Sequence, residues 1–285
     1  MRSGTGGYTR AAGVLAVHWH GRDDAAAGPL VLLHGLTDSG RCWAEAVSSW
    51  AGEYRVAALD ALGHGASPRF TPGQLSRGPM EAMLETTLTA VQEISSQGLG
   101  KPILVGHSMG AGIAAALAVR APALVAGLVL EDPAWFATGD WDQDAAAHWN
   151  VVAARNFRAD LTGELAKGRQ EHPHWPESEM YEWARAKTLC DDAFLATGLA
   201  ALPVPYADVA AALDVPALVV CGTRDVFVDE AKRAVLTAIG NPRLEVRVVD
   251  GAGHCVRRDK SAAYHAIVDP WIRTVLALDR DRQPR

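Results

Sequence analysis

Short, largely apolar runs alternate along the chain with longer stretches whose apolar positions recur every three or four residues. Val14 to Trp19 and Leu30 to His34 are the first such runs. Arg55 to Leu59, Pro102 to Val105, Gly127 to Leu130 and Ala217 to Cys221 follow. A run apolar on both faces suits a parallel strand covered by helices on two sides. Leu244 to Val249 alternates instead, with Glu245 and Arg247 at every second position, and predicts a strand near a sheet edge. The helical period is clearest in Met80, Met83, Leu84, Leu88, Val91 and Ile94, with Pro79 where a first helical residue belongs. Strands alternating with helices imply crossover units and a doubly wound α/β sheet.

The rhythm stops at Pro133. From there to Leu213 the chain shows helical, acidic and Ala-rich spacing, broken by Pro173, Pro176, Pro203 and Pro205, and no strand pattern. Five of the nine tryptophans fall here: Trp135, Trp141, Trp149, Trp175 and Trp183. Any one of them is expected to pack the insertion onto the core. A helical segment set between two sheet strands can also roof a pocket. Trp135 and Trp141 are the candidates to face a ligand. The expected division is a core in two parts, 1–132 and 214–285, with a helical cap over 133–213.

The composition is ordinary for a globular chain of 285 residues, 49% hydrophobic and 21% charged, which excludes a disordered or collagen-like protein. A net charge of −6 lacks the basic footprint that a phosphate backbone requires, so nucleic acid is not an expected partner. Cys42, Cys190, Cys221 and Cys255 are far apart and form no close pair, which argues against a disulfide framework or a zinc knuckle and for reduced thiols. The opening MRSGTGGYTRAAG has no apolar core of signal-peptide length. Met109 to Leu130 is the longest apolar stretch, but Arg120 and Pro122 interrupt it. A soluble cytoplasmic protein with no membrane partner is expected, ending in a solvated, frayed DRDRQPR tail.

The candidate chemistry centres on Gly106-His107-Ser108-Met109-Gly110, placed after an apolar run and before a helical segment. A serine on such a turn lifts its hydroxyl clear of the sheet, and the helix N-terminus aims N–H groups at developing negative charge. A serine hydroxyl needs a base, and the base an orienting acid. His254 is the candidate base, in a glycine-bearing loop after the last strand pattern; His107 is expected to support the turn. His18 and His20, inside a strand run, read as structural, and His172 and His174, flanking Pro173, as surface rather than as metal ligands. Asp225, after the Ala217–Cys221 run, is the first choice of acid. Asp132, after Gly127–Leu130, is the alternative, either as acid or as a helix cap. Leu36 and Met109 supply the candidate oxyanion-hole N–H groups.

These features together resemble the α/β-hydrolase superfamily in its lid-bearing branch. The resemblance rests on Leu33-His34-Gly35-Leu36, on Asp60-Ala61-Leu62-Gly63-His64-Gly65-Ala66-Ser67, on the Gly106–Gly110 motif, and on Asp225 and Gly253-His254. It spans essentially the whole chain and implies an α/β-hydrolase fold, a mostly parallel eight-stranded sheet flanked by helices, with a helical cap after the sixth strand. The Asp60–Ser67 stretch resembles a structural turn near the pocket. Epoxide hydrolases and haloalkane dehalogenases of the superfamily carry Asp at the elbow; Ser108 favours acyl transfer instead. The expected activity is hydrolysis of an ester, lactone or similar activated carbonyl of a fairly apolar small molecule, with neither metal nor organic cofactor. Carbon–carbon bond hydrolysis of a diketone-like substrate and a non-enzymatic small-molecule receptor are the alternatives.

Overall fold

The computed structural model describes residues 8–22, 27–137 and 139–282. Residues 1–7, part of the stretch read for an export signal, and 283–285, the end of the tail, lie outside the described residues. The chain forms strands β1 (Tyr8–Ala12), β2 (Leu15–His20), β3 (Ala27–Leu33), β4 (Tyr54–Leu59), β5 (Ile103–His107), β6 (Gly127–Glu131), β7 (Ala217–Cys221) and β8 (Leu244–Val248). They make one eight-stranded sheet in the order β1-β2-β4-β3-β5-β6-β7-β8. β2 runs antiparallel to both β1 and β4, and every other pairing is parallel. This is an α/β-hydrolase sheet. β1 is the strand that the apolar pattern does not announce, because YTRAA holds no continuous apolar run. It pairs with β2 through a tight turn at Gly13, whose φ of 58° suits glycine.

The central strands are sealed on both faces. Leu30, Val31, Leu32, Ile103, Leu104, Val105, Leu128, Val129 and Leu130 have no exposed surface. Burying each such side chain contributes about 1.5–3 kcal/mol before entropy is counted. One face packs on helices α3 (Pro79–Ser95) and α4 (Met109–Arg120), preceded in the chain by α1 (Ala44–Trp50) and α2 (Pro72–Arg77). The other packs on Trp43, on Trp50 of α1 and, from the C-terminal end, on Tyr264, Val268 and Ile272. β8 is partly exposed, as its alternating pattern predicts for an edge.

Between β6 and β7 the chain carries helices α5 (Gln143–Ala159), α6 (Leu161–Glu171), α7 (Glu177–Lys187), α8 (Asp192–Leu195) and α9 (Tyr206–Ala212), and no strand among the described residues. Phe157, Leu165, Met180 and Ala184 form a small core of their own there, with Trp175 and Trp183 against it. α10 (Glu230–Ile239), α11 (Val256–Asp259) and α12 (Ser261–Arg282) complete the fold. α12 runs through Asp279 to Arg282, so the first part of the tail is helical rather than frayed. Met109–Leu130 divides into α4, a short turn at Pro122–Leu124 and β6, and no helix among the described residues is long and apolar enough to cross a membrane.

A buried ionic cluster joins α7 to the sheet. Arg258 pairs with Asp38 at 2.7 Å and with Glu179 of α7 at 2.7 Å; Arg257 pairs with Glu131 at 2.7 Å. Both guanidiniums lie over tryptophans, Arg257 at 4.0 Å from the Trp43 ring and Arg258 at 4.9 Å from that of Trp175. Removing one member leaves opposite charge stranded without water, which costs about 3–5 kcal/mol. Arg258→Ala is accordingly expected to lower stability by about that amount in urea denaturation. A loss under 1 kcal/mol would mean that the cluster contributes little to the fold.

Candidate active site

β5 ends at His107 and α4 begins at Met109, which leaves Ser108 alone on the turn between them. Its backbone sits at φ 53° and ψ −117°, where a residue with a Cβ is strained by about 1–3 kcal/mol. Hydrogen bonds hold the turn in place: the Ser108 N–H donates to the Glu131 carbonyl at 2.9 Å. The Ser108 carbonyl accepts from Ala111 and Gly112 at 3.1 Å and from Ala134 at 3.0 Å. A Cβ on Gly106 would lie 2.5 Å from Ala111 Cα, and one on Gly110 2.2 Å from the Leu33 carbonyl oxygen. Only glycine at those two positions lets strand and helix close around the serine, which is 6% exposed.

His254 arrives on the loop after β8, anchored where the Gly253 N–H donates to Asp259 at 2.7 Å. Its Nδ1 is 2.5 Å from Asp132 Oδ2. Asp132 is wholly buried, and its carboxylate also accepts the Phe227 and Val228 N–H groups, each at 2.9 Å. The first-choice acid, Asp225, is therefore corrected: the carboxylate on the imidazole belongs to Asp132. Asp225 sits exposed on the surface of the β7–α10 loop with a φ of 49°. The loop reaches the site through its backbone two and three residues later, where the Phe227 and Val228 N–H groups bind Asp132. Asp132 takes a left-handed φ of 37° at the end of β6, which aims its side chain across to the imidazole. It is not the N-cap of α5, a position held by Asp142. The Ser108 hydroxyl and the imidazole are not hydrogen-bonded to each other in this structure; the imidazole lies 4.7 Å from the ring of His107, the residue before the serine.

His107 Nε2 donates to the His254 carbonyl at 3.2 Å, so the motif histidine clamps the loop of the candidate base. Burial, reinforced by the neighbouring His254, holds His107 well below the usual histidine range and keeps it neutral. On the other side, a Cβ on Gly35 would lie 3.2 Å from Ser108 Cβ, so the β3 end abuts the serine. Among the described residues, neither the Leu36 nor the Met109 N–H donates to a backbone carbonyl, leaving both available to a ligand oxygen. His34 fixes this corner: Nδ1 donates to the Gly35 carbonyl at 2.8 Å and Nε2 accepts the Ala61 N–H at 3.0 Å. Asp60 accepts the Gly40 and Ala66 N–H groups at 2.7 and 2.8 Å and pairs with His18, a purely structural turn.

Two hollows flank these residues. A cleft of about 630 Å³ is lined by His254 with Trp175, His172, Arg224, Asp225 and Lys260. His172 stacks on Trp175 at 3.9 Å. Among the described residues no three His, Cys, Asp or Glu are grouped to hold a metal ion. An apolar cavity of about 420 Å³ lies over α4, lined by Gly112, Ala116, Trp135, Phe136, Trp141 and Leu202. Trp135 and Trp141 thus both line a cavity, and Trp149 is exposed. Sequence reasoning missed Phe227, whose ring lies 4.4 Å from that of His254, and the Arg257-Arg258 pair. Two adjacent arginines directly after the histidine loop were a signal for the latter, since buried arginines require carboxylates.

The model of the alpha/beta hydrolase family matches residues 30–267. The lipase LipV of Mycobacterium tuberculosis is 34% identical over 122 residues, which is 42% of this chain and 43% of LipV, so the chain spans less than half of that relative's length. (E)-2-((N-methylformamido)methylene)succinate hydrolase of Acinetobacter baylyi is 25% identical over 253 residues, covering 86% of this chain and 90% of that protein. Among solved structures, the esterase RhEst1 from Rhodococcus sp. superposes with a TM-score of 0.71 at 20% identity, over 92% of this chain and 96% of that one. At that identity the likeness is one of fold.

Proposed function

The chain belongs to the alpha/beta hydrolase family, and from that premise we propose that it is a serine hydrolase working through Ser108, His254 and Asp132. The observation that carries this reading is the His254–Asp132 pair, its imidazole 4.7 Å from the ring of His107, the residue before a serine held in a left-handed turn at a helix N-terminus. The Asp132 carboxylate accepts a hydrogen bond from Nδ1–H and holds the proton there, which leaves Nε2 as the basic nitrogen. His254 removes the Ser108 proton as Oγ attacks the substrate carbonyl. The Leu36 and Met109 N–H groups hold the resulting oxyanion, each worth about 3 kcal/mol in the transition state. Collapse expels the leaving group, which takes the proton back from His254, and an acyl-enzyme remains. Water, deprotonated by the same imidazole, then releases the acid and restores the serine.

The reading extends to the substrate, an ester, lactone or similar activated carbonyl of a fairly apolar small molecule. The apolar cavity over α4, with Trp135 and Trp141 in its wall, supports the apolar half of that description. In this reading the segment from 133 to 213 is a cap over the core formed by 1–132 and 214–285. A panel of a p-nitrophenyl ester, a lactone and a vinylogous diketone tests it. Turnover of the ester or the lactone is expected. Cleavage of the diketone alone would replace ester hydrolysis with carbon–carbon hydrolysis, and tight ligand binding with no turnover at all would leave a receptor.

A further inference from the structure

One aromatic cluster stands between the His254 cleft and the apolar cavity. The Phe227 ring lies 4.4 Å from the His254 ring on one side and 4.9 Å from Phe136 on the other, meeting Phe136 edge-on at 84°. Phe136 stacks on Trp141 at 4.7 Å, and these two form part of the cavity wall. The backbone of Phe227 is pinned, because its N–H and that of the fully buried Val228 both bind Asp132. Only the ring is free to turn about its own side-chain bonds, and it is half-buried.

The floor of the cavity comes close to the nucleophile. Gly112 lines it, and the Gly112 N–H donates to the Ser108 carbonyl at 3.1 Å. Four residues along a helix span about 6 Å, so the cavity opens within one turn of Ser108. A Cβ at Gly112 would meet nothing nearer than the Ala134 carbonyl oxygen at 3.8 Å, which leaves the space above it open. At about 30 Å³ for each water-sized group, a cavity of about 420 Å³ holds about fourteen such groups, which leaves room for an unbranched eight-carbon acyl chain.

We propose that Phe227 is a specificity-determining residue: its ring closes the passage from the Ser108–His254 centre to this cavity, and turning it aside admits the apolar acyl chain of a medium-length ester. The proposal rests on the serine-hydrolase reading for the chemistry at Ser108. The cavity and its aromatic wall stand independently of that reading.

The ratio of kcat/KM for p-nitrophenyl octanoate to that for p-nitrophenyl acetate measures the passage. In Phe227→Ala this ratio is expected to rise about tenfold over the wild type, the scale of a small apolar pocket contact. Gly112→Leu, which fills the cavity from its floor, is expected to lower it about tenfold. Binding is read separately in the Ser108→Ala protein by titrating octanoic acid against tryptophan fluorescence, since Trp135 and Trp141 line the cavity. Adding Phe227→Ala is expected to tighten that binding, and adding Gly112→Leu to abolish it. An unchanged ratio in a folded, active Phe227→Ala enzyme overturns the proposal. So does octanoic acid that leaves the fluorescence of both Ser108→Ala proteins unchanged, even where esters are turned over. Octanoic acid binding with this mutant pattern, in a wild type that cleaves no ester, would keep the cavity and sink the hydrolase reading.

Discussion

Ser108→Ala is expected to lower kcat for an activated aryl ester by about 10⁴-fold or more while leaving the fold intact. Alanine keeps the Cβ that the turn already accommodates, and the hydrogen bonds that hold the elbow come from the backbone of residue 108. The substitution therefore removes one oxygen and little else. In the proposed mechanism that oxygen forms the covalent bond to the substrate, so the loss is expected on kcat rather than on KM. No neighbouring group can take its place: burial pushes the Cys255 thiol up to about 12, far from a reactive thiolate. A fluorophosphonate is expected to add its mass to the peptide carrying Ser108 in the wild type and to none in the variant. Turnover within tenfold of wild type would dismiss Ser108 as nucleophile.

Asp132→Asn is expected to cost about 10⁴-fold in kcat, with Asp225→Asn close to wild type. An amide at position 132 can present N–H₂ to Nδ1 and so stabilise the tautomer whose Nε2 carries the proton, the form unable to act as base. The same amide cannot accept well from every group the carboxylate serves, so a loss of about 1–3 kcal/mol in stability accompanies the change. Urea denaturation of both variants separates that effect from the catalytic one. Asp225 is exposed, and its carboxylate is not the one on the imidazole. A large loss in Asp225→Asn with an active Asp132→Asn would return the acid to the β7 loop and overturn the present assignment.

Much of the site was legible because it depends on local backbone chemistry. Gly106 and Gly110 stand where any Cβ would meet main-chain atoms, so the spacing around Ser108 announces the turn wherever strand and helix flank it. His254 was legible in the same way, from a glycine-bearing loop placed after the last strand pattern. The choice of acid was not. Asp132 and Asp225 both follow a strand, and both adopt a left-handed φ. They differ in what the β7–α10 loop presents to the imidazole corner, two N–H groups or a carboxylate, and no local pattern encodes that. Phe227 was illegible for a similar reason: its neighbours come from two other parts of the chain, His254 from one and Phe136 and Trp141 from the other.

The amino-acid order alone determined where the central strands run, because burying both faces of a strand demands an apolar run; the edge strand β1 carries no such run. It also determined which serine could occupy a strained bend, because steric exclusion acts over five residues. Which carboxylate meets the imidazole, which aromatic ring divides the two hollows, and how Arg257 and Arg258 find Glu131, Asp38 and Glu179 were decided only by the tertiary structure. Hydrogen bonds and ring contacts act over a few ångströms between groups that lie tens to hundreds of residues apart in the chain, and only the folded sheet brings them within reach.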